Sequence, residues 1–143
     1  GGGRPGTRPG TGRSGGTKNM TIKLGVPIKE LSLTGNRLEY LPPFVGELSA
    51  LKTIRIDDTI KEPPPHIIKE GLPVIQLYLR RLGTARHTSF LDLSGMMLDS
   101  VELAYYKLHN LLNGVNLGAN TLTAIPAEVF KYRSLTWIDM RNN

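Results

Sequence analysis

The chain has 143 residues, 39% of them hydrophobic and 21% charged, with a formal net charge of +6 and no cysteine. That length admits one domain or two very small ones, and the lack of thiols excludes disulfide staples and cysteine-based zinc sites. No apolar run approaches the roughly 20 residues needed to cross a bilayer as a helix, and no secretory signal is visible.

The first 18 residues hold eight Gly with Arg4, Arg8, Arg13 and Lys18 and no acid, which is +4 of the total charge. Such a composition cannot bury apolar area, so residues 1–19 are expected to form a disordered Gly/Arg-rich tail. Cations attract phosphate without sequence preference, so a nucleic-acid-binding arm is one reading and a flexible linker the other. No Phe or Tyr is interleaved for base stacking, and nucleic acid is therefore not the expected partner. The pI of about 9.8 says more about the tail than about the rest of the chain.

From Ile28 a comb of apolar residues begins: Ile28, Leu31, Leu33, Asn36, Leu38, Leu41-Pro42, Val45 and Leu48. A second unit starts at Leu51 with Ile54 and Ile56, then puts Thr59 where the Asn belongs and Lys61 where an apolar residue belongs. A third gives Leu91 and Leu93, with Met96 at the Asn position and Leu98 beyond it. The fourth (Leu112, Val115, Leu117, Asn120, Leu122, Ile125-Pro126, Val129) is complete, and the fifth runs Leu135, Ile138, Met140, Asn143. The central apolar-x-apolar pair puts two side chains on the same side of a short strand. One unit cannot bury its own apolar edge, so units must stack. Each Asn can satisfy turn backbone groups that would otherwise be buried unpaired, at a cost of about 1–3 kcal/mol apiece. Pro42 and Pro126 fix the chain as it leaves the strand side.

The second and third units start at residues 51 and 88, further apart than the usual period of about 23 residues. The extra length, Glu62 to Gly83, opens on Pro63-Pro64-Pro65. The spacing predicts a short helix over 65–70 ending at Gly71, then a second helix with Pro73 in its first turn. Ile68, Leu72, Ile75, Leu79 and Leu82 form its apolar stripe. Arg80 and Arg81 are expected in its last turn, where positive charge suits the helix dipole. The helices cap a first repeat block, or they bulge from an uninterrupted array in which the strands of units two and three stay adjacent.

The L-x-x-L-x-L-x-x-N-x-L spacing is that of a leucine-rich repeat. Pro64-Pro65, Ile68 and Gly71, followed by Ile75, Tyr78-Leu79-Arg80 and Leu82, resemble the closing element of intracellular leucine-rich repeat proteins. The resemblance is to the 23-residue class shared by Roco GTPase/kinases and Ras-group-related leucine-rich repeat proteins, over about residues 28–143. It implies an α/β leucine-rich repeat solenoid, with short parallel strands on the concave face, an irregular or helical convex side, and a helical insert or cap. The expected organisation is the tail at 1–19, a first repeat block at 20–62, a Pro-rich cap or insert at 63–87, and a second, truncated block at 88–143. Extracellular members of this repeat class usually carry disulfide-bonded caps, so the lack of Cys leans towards the cytoplasm. Polar capping units are evident at neither end, and a fragment of a longer protein is expected.

Chemistry is poorly represented. His66, His87 and His109 have no metal-ligand spacing, and Asp57-Asp58 are strand neighbours that point to opposite sides. Neither the G-x-x-x-x-G-K-[ST] phosphate loop nor G-x-S-x-G occurs. No cofactor, metal or catalytic residue is expected. The concave face is the better candidate. Its outward residues include Arg55 and Asp57, Phe90 and Asp92, Asn116, Trp137, Asp139 and Arg141. Phe90-Leu91-Asp92 and Trp137-Ile138-Asp139 each set an outward aromatic near a carboxylate, and aromatics and Arg concentrate at the energetic centres of interfaces. The competing expectation is that Phe90 and Trp137 pack on neighbouring strands or on the 66–82 helices. The expected function is a non-catalytic scaffold in a signalling protein, holding a protein partner on that face. A regulatory repeat region of a Roco-like GTPase or kinase is the alternative.

Overall fold

The structure, a computed structural model, describes residues 2–3 and 27–143. The Gly/Arg-rich tail expected over 1–19, residues 2 and 3 apart, and the start of the first repeat block at 20–26 lie outside the described residues.

Among the described residues, five strands of three residues each form at the central apolar pairs: β1 (Glu30–Ser32), β2 (Thr53–Arg55), β3 (Phe90–Asp92), β4 (Gly114–Asn116) and β5 (Trp137–Asp139). All pair in parallel, β1 with β2 in one sheet and β3–β4–β5 in another. Leu31 faces Ile54, Leu91 faces Val115, and Val115 faces Ile138. Parallel neighbours need a crossover of a dozen or more residues. Within each sheet the crossovers return through 3-10 turns at Pro43–Glu47, Ala104–Tyr106 and Ala127–Lys131. Leu91, Leu93, Leu98, Leu112, Val115 and Leu117 are buried between strand and crossover.

The two helices are α1 (Pro65–Lys69) and α2 (Leu72–Thr88). Gly71 joins them at φ +93°, a backbone conformation that glycine alone adopts without strain. Ile75, Leu79 and Leu82 are buried, and Tyr78 and Ala85 extend the same face. This corrects one expectation: Arg80 and Arg81 lie mid-helix, and the last turn carries Arg86 and His87. The helix runs on through Gly83 to Thr88, with Leu82 and Ala85 buried on either side of that glycine. β2 and β3 are not hydrogen-bonded neighbours; α2 packs along β3 instead. The apolar core is nonetheless continuous across both sheets. Tyr40 of the first unit stacks on Tyr105 of the third at 5.3 Å between ring centroids, and the Tyr106 hydroxyl donates to the Leu41 carbonyl at 3.2 Å.

A second correction concerns Lys61. The strands of units one and two pair at Leu31–Ile54, but the crossovers meet at Tyr40–Glu62, so the second unit is one residue shorter after its strand. Ile60 therefore fills the core position assigned to Lys61. Lys61 is exposed and pairs with Glu39 at 2.8 Å.

Helix α2 lies close against the Pro43–Glu47 turn because Gly46 has no side chain. A Cβ there would sit 2.7 Å from the Arg80 backbone nitrogen and 2.9 Å from the Gln76 carbonyl oxygen. Neither atom can swing aside. Gly46→Ala is expected to lose about 2–3 kcal/mol of unfolding free energy, the range for forced overpacking of a close contact. Urea melts check it: an unchanged midpoint would mean that helix and turn separate freely.

Candidate functional site

Strand alternation turns the residues on either side of each core side chain to the opposite side of the sheet. On β3–β5 they form two rows in register, Phe90–Gly114–Trp137 and Asp92–Asn116–Asp139.

The first row is an aromatic pair over a glycine. β3 and β5 are two strand spacings apart, about 9.6 Å, yet the Phe90 and Trp137 ring centroids lie 5.3 Å apart at 35°. The rings lean together over Gly114. A Cβ on Gly114 would come within 2.8 Å of the Phe90 ring and 3.3 Å of the Trp137 ring. Both rings still present surface to solvent, Phe90 at 41% and Trp137 at 45% exposure. The two expectations for these aromatics therefore meet: each packs on a neighbour, and the pair is exposed.

The second row repeats one turn device. Asp92 Oδ1 accepts from the Ser94 backbone N–H at 3.0 Å and from its hydroxyl at 2.6 Å. Asn116 Oδ1 accepts from Gly118 N–H at 2.9 Å, and Asp139 Oδ1 accepts from Arg141 N–H at 2.9 Å. Each side chain closes the turn that leaves its strand. Burial pushes the Asp92 carboxyl up, but hydrogen bonds from Ser94 and the charge of Arg81 outweigh it and hold the group below its ordinary range. The Arg141 guanidinium, 2.6 Å from Asp139, depresses Asp139 in the same direction. Asp92 and Asn116 thus each have one side-chain oxygen already committed, and Asp139 has both, since the Arg141 guanidinium donates to Oδ1 and Oδ2.

Six of the residues singled out from the sequence thus gather on one sheet: Phe90, Asp92, Asn116, Trp137, Asp139 and Arg141. The other two lie on the β1–β2 sheet. Arg55 is exposed. Asp57 accepts from the Gly35 and Asn36 backbone N–H groups at 3.0 and 3.1 Å, so its carboxylate closes the preceding unit's turn.

Sequence reasoning missed a cleft of about 430 Å³ between α2 and β3, lined by Arg80, Arg81, Thr84, Thr88, Phe90 and Asp92. The i, i+3, i+7 spacing of Arg81, Thr84 and Thr88 was the available signal, because it places three polar side chains on one helix face. It also missed Glu62, buried to 2% exposure beneath the Tyr78 hydroxyl, which donates to it at 2.6 Å. Among the described residues no group of three His, Cys, Asp or Glu side chains could hold a metal ion, and no helix is long and apolar enough to cross a membrane.

No family model matches the chain, and no solved structure does. The chain is 26% identical over 115 residues to "Protein flightless-1 homolog" of Caenorhabditis elegans, covering 79% of this chain and 8% of that protein. It is 29% identical over 116 residues to human "Leucine-rich repeats and immunoglobulin-like domains protein 3", covering 79% of this chain and 9% of that protein. The chain therefore spans less than a tenth of the length of either relative. These likenesses support a relationship to leucine-rich repeat proteins and nothing narrower; they lend no support to the Roco-like class.

Proposed function

We propose that residues 28–143 are a run of leucine-rich repeats forming an α/β solenoid, and that the chain binds a protein partner on the strand face without catalysing a reaction. The observation that carries this reading is the Phe90–Trp137 pair. Two large aromatic rings stand in contact on the solvent side of a sheet whose other side is a packed core at β3 and β4. Exposed aromatic surface rimmed by polar side chains is characteristic of interaction sites, and Trp is enriched among the residues that dominate interface energetics. The comb of leucines, the parallel pairing at the repeat spacing and the two relatives support the repeat assignment. A place within a larger cytoplasmic signalling protein is part of the same proposal.

The test begins with peptides selected from a displayed random library on the full chain. Trp137→Ala is expected to weaken their binding at least fivefold, about 1 kcal/mol, while Lys131→Ala, at an exposed position on the crossover side, leaves it unchanged. Peptides that bind a folded Trp137→Ala variant with undiminished affinity would remove the strand face from the account.

A further inference from the structure

The cleft between α2 and β3 is the part of this face with unsatisfied chemistry. Arg80 and Arg81 line it together, and among the described residues no carboxylate lies within 4.0 Å of either guanidinium. Each makes one hydrogen bond to a carbonyl: Arg80 to Gly46 at 3.3 Å and Arg81 to Ser94 at 2.9 Å. A guanidinium has five N–H donors, so most of theirs remain free to meet an anion. Asp92, the one acid in the lining, already directs Oδ1 to Ser94. Two cations therefore stand against one carboxylate. Elsewhere on this sheet the opposite charges are already joined, as Asp139 and Arg141 are.

Phe90 belongs both to the cleft and to the aromatic pair. A ligand with an anionic group in the cleft would thus meet apolar ring surface directly beside it. The neighbouring row decides what kind of ligand that is. Asp139 is neutralised by Arg141, but Asp92 stands in the wall of the cleft with no cation within 4.0 Å among the described residues, so the cleft suits one anionic group beside the arginines better than a chain carrying a phosphate at every step. Arginine's planar fork holds a carboxylate in bidentate fashion, and a phosphate equally well, so phosphate is one of the competing arms of the test.

We propose that this cleft is a carboxylate subsite: it takes an Asp or Glu side chain of a peptide segment lying across the strands, and the Phe90–Trp137 pair takes the apolar residue next to it. The inference rests on the protein-binding reading above and specifies the partner's chemistry.

Trp137 is the sole tryptophan, so its emission reports on the site directly. The probes are two capped octapeptides, alternating Gln-Leu and the same sequence with one central Gln replaced by Glu, titrated against the full chain. The Glu peptide is expected to bind at least tenfold more tightly. Arg80→Gln/Arg81→Gln should erase that preference while leaving affinity for the Gln peptide unchanged. Arg80→Gln alone, at an exposed position, should reduce the preference and guards against a double variant that misfolds. Inorganic phosphate and polyuridylate serve as competing arms. A preference that survives in the folded variants overturns the proposal, as does a stronger Trp137 response to polyuridylate or phosphate than to the Glu peptide. Equal binding of both peptides sinks the subsite and leaves the protein-binding reading standing; that reading falls only on the Trp137→Ala result with the library peptides.

Discussion

Asn120→Ala is expected to lower the unfolding free energy by about 3–5 kcal/mol, a large effect for the removal of one polar side chain. The amide is 7% exposed and ties two units together. Its oxygen accepts from the Met96 and Leu98 backbone N–H groups at 3.0 Å each. Its nitrogen donates to the Leu93 and Leu117 carbonyls at 2.9 Å each, and to Gly118 at 3.3 Å. Alanine leaves the Met96 and Leu98 N–H groups and the Leu93 carbonyl without this partner, whereas the Leu117 carbonyl keeps the Asn143 amide and the Gly118 carbonyl keeps the Gly95 N–H, each at 3.0 Å; each unpaired buried group costs roughly 1–3 kcal/mol. Water admitted at the rim recovers part of that, which sets the total below the simple sum. The effect reads out as a lower urea midpoint at unchanged slope.

Asn120→Asp separates the two halves of the network. It keeps the acceptor for Met96 and Leu98 but turns a negative charge towards three carbonyls, so it should be no better than alanine at neutral pH and should partly recover when protonated. Asn36 provides the contrast. Its side chain is exposed and donates to Leu33 and Thr34 at 2.9 and 3.3 Å, where water can replace it, so Asn36→Ala should lose under about 1 kcal/mol. A loss below about 1 kcal/mol at Asn120 as well would mean that leucine stacking alone holds the third and fourth units together.

The same residues show how far the amino-acid order reaches. Strand positions were legible because apolar-x-apolar pairs at a fixed period leave few alternatives, and the roles of Asn120 and Asn143 came from the orphaned groups of a turn. Helix α1 and the Gly71 link came from Pro64-Pro65 and a glycine. The one-residue shortening of the second unit was not legible. Shifted by one, Thr59 and Lys61 look like substitutions within a repeat of ordinary length, and only the Tyr40–Glu62 pairing shows Ile60 taking the core position. The end of α2 was misplaced because its apolar stripe was followed only to Leu82, whereas burial of Leu82 and Ala85 carries the helix through Gly83 against a local cost of about 1 kcal/mol.

On the strand face, the outward aromatics could be picked out by alternation, but their meeting depends on Gly114 standing in register between them. That is a property of three strands, which no single repeat displays. The commitment of Asp92, Asn116 and Asp139 to their own turns was hidden for a different reason: an outward carboxylate or amide two residues before a free backbone N–H serves its own chain before it serves a partner. The arginines of the cleft were seen as helix-end charge, and only the longer helix turns them into a wall beside β3.

Glu62 carries the second large expectation, which concerns pH. Nothing in the sequence singles out Glu62; tertiary packing buries it under Tyr78 and close to Glu102 and Glu128. Burial pushes its carboxyl from 4.5 up to about 8; the Tyr78 hydrogen bond opposes the rise, and the charges of Glu102 and Glu128 add to it. Between those two values the folded chain holds a proton that the unfolded chain has released. Stability therefore falls as pH rises through this window. The full span amounts to something on the order of 4–5 kcal/mol, at 1.36 kcal/mol per pKa unit. The depressed carboxylates Asp92 and Asp139 act in the opposite sense, since their contribution is lost as pH falls below the ordinary carboxylate range, outside the window Glu62 governs.

Glu62→Gln keeps an oxygen for the Tyr78 hydroxyl and removes the charge. Urea melts at pH 5, 7 and 9 should show the native chain losing several kcal/mol across the series and the variant staying nearly level. The two chains should agree within about 1 kcal/mol at pH 5, and the variant should be the more stable at pH 9, because only the native chain must then ionise a buried carboxyl or unfold. Parallel curves for the two would mean that Glu62 ionises at its ordinary pH, with solvent reaching the junction between the first and third units.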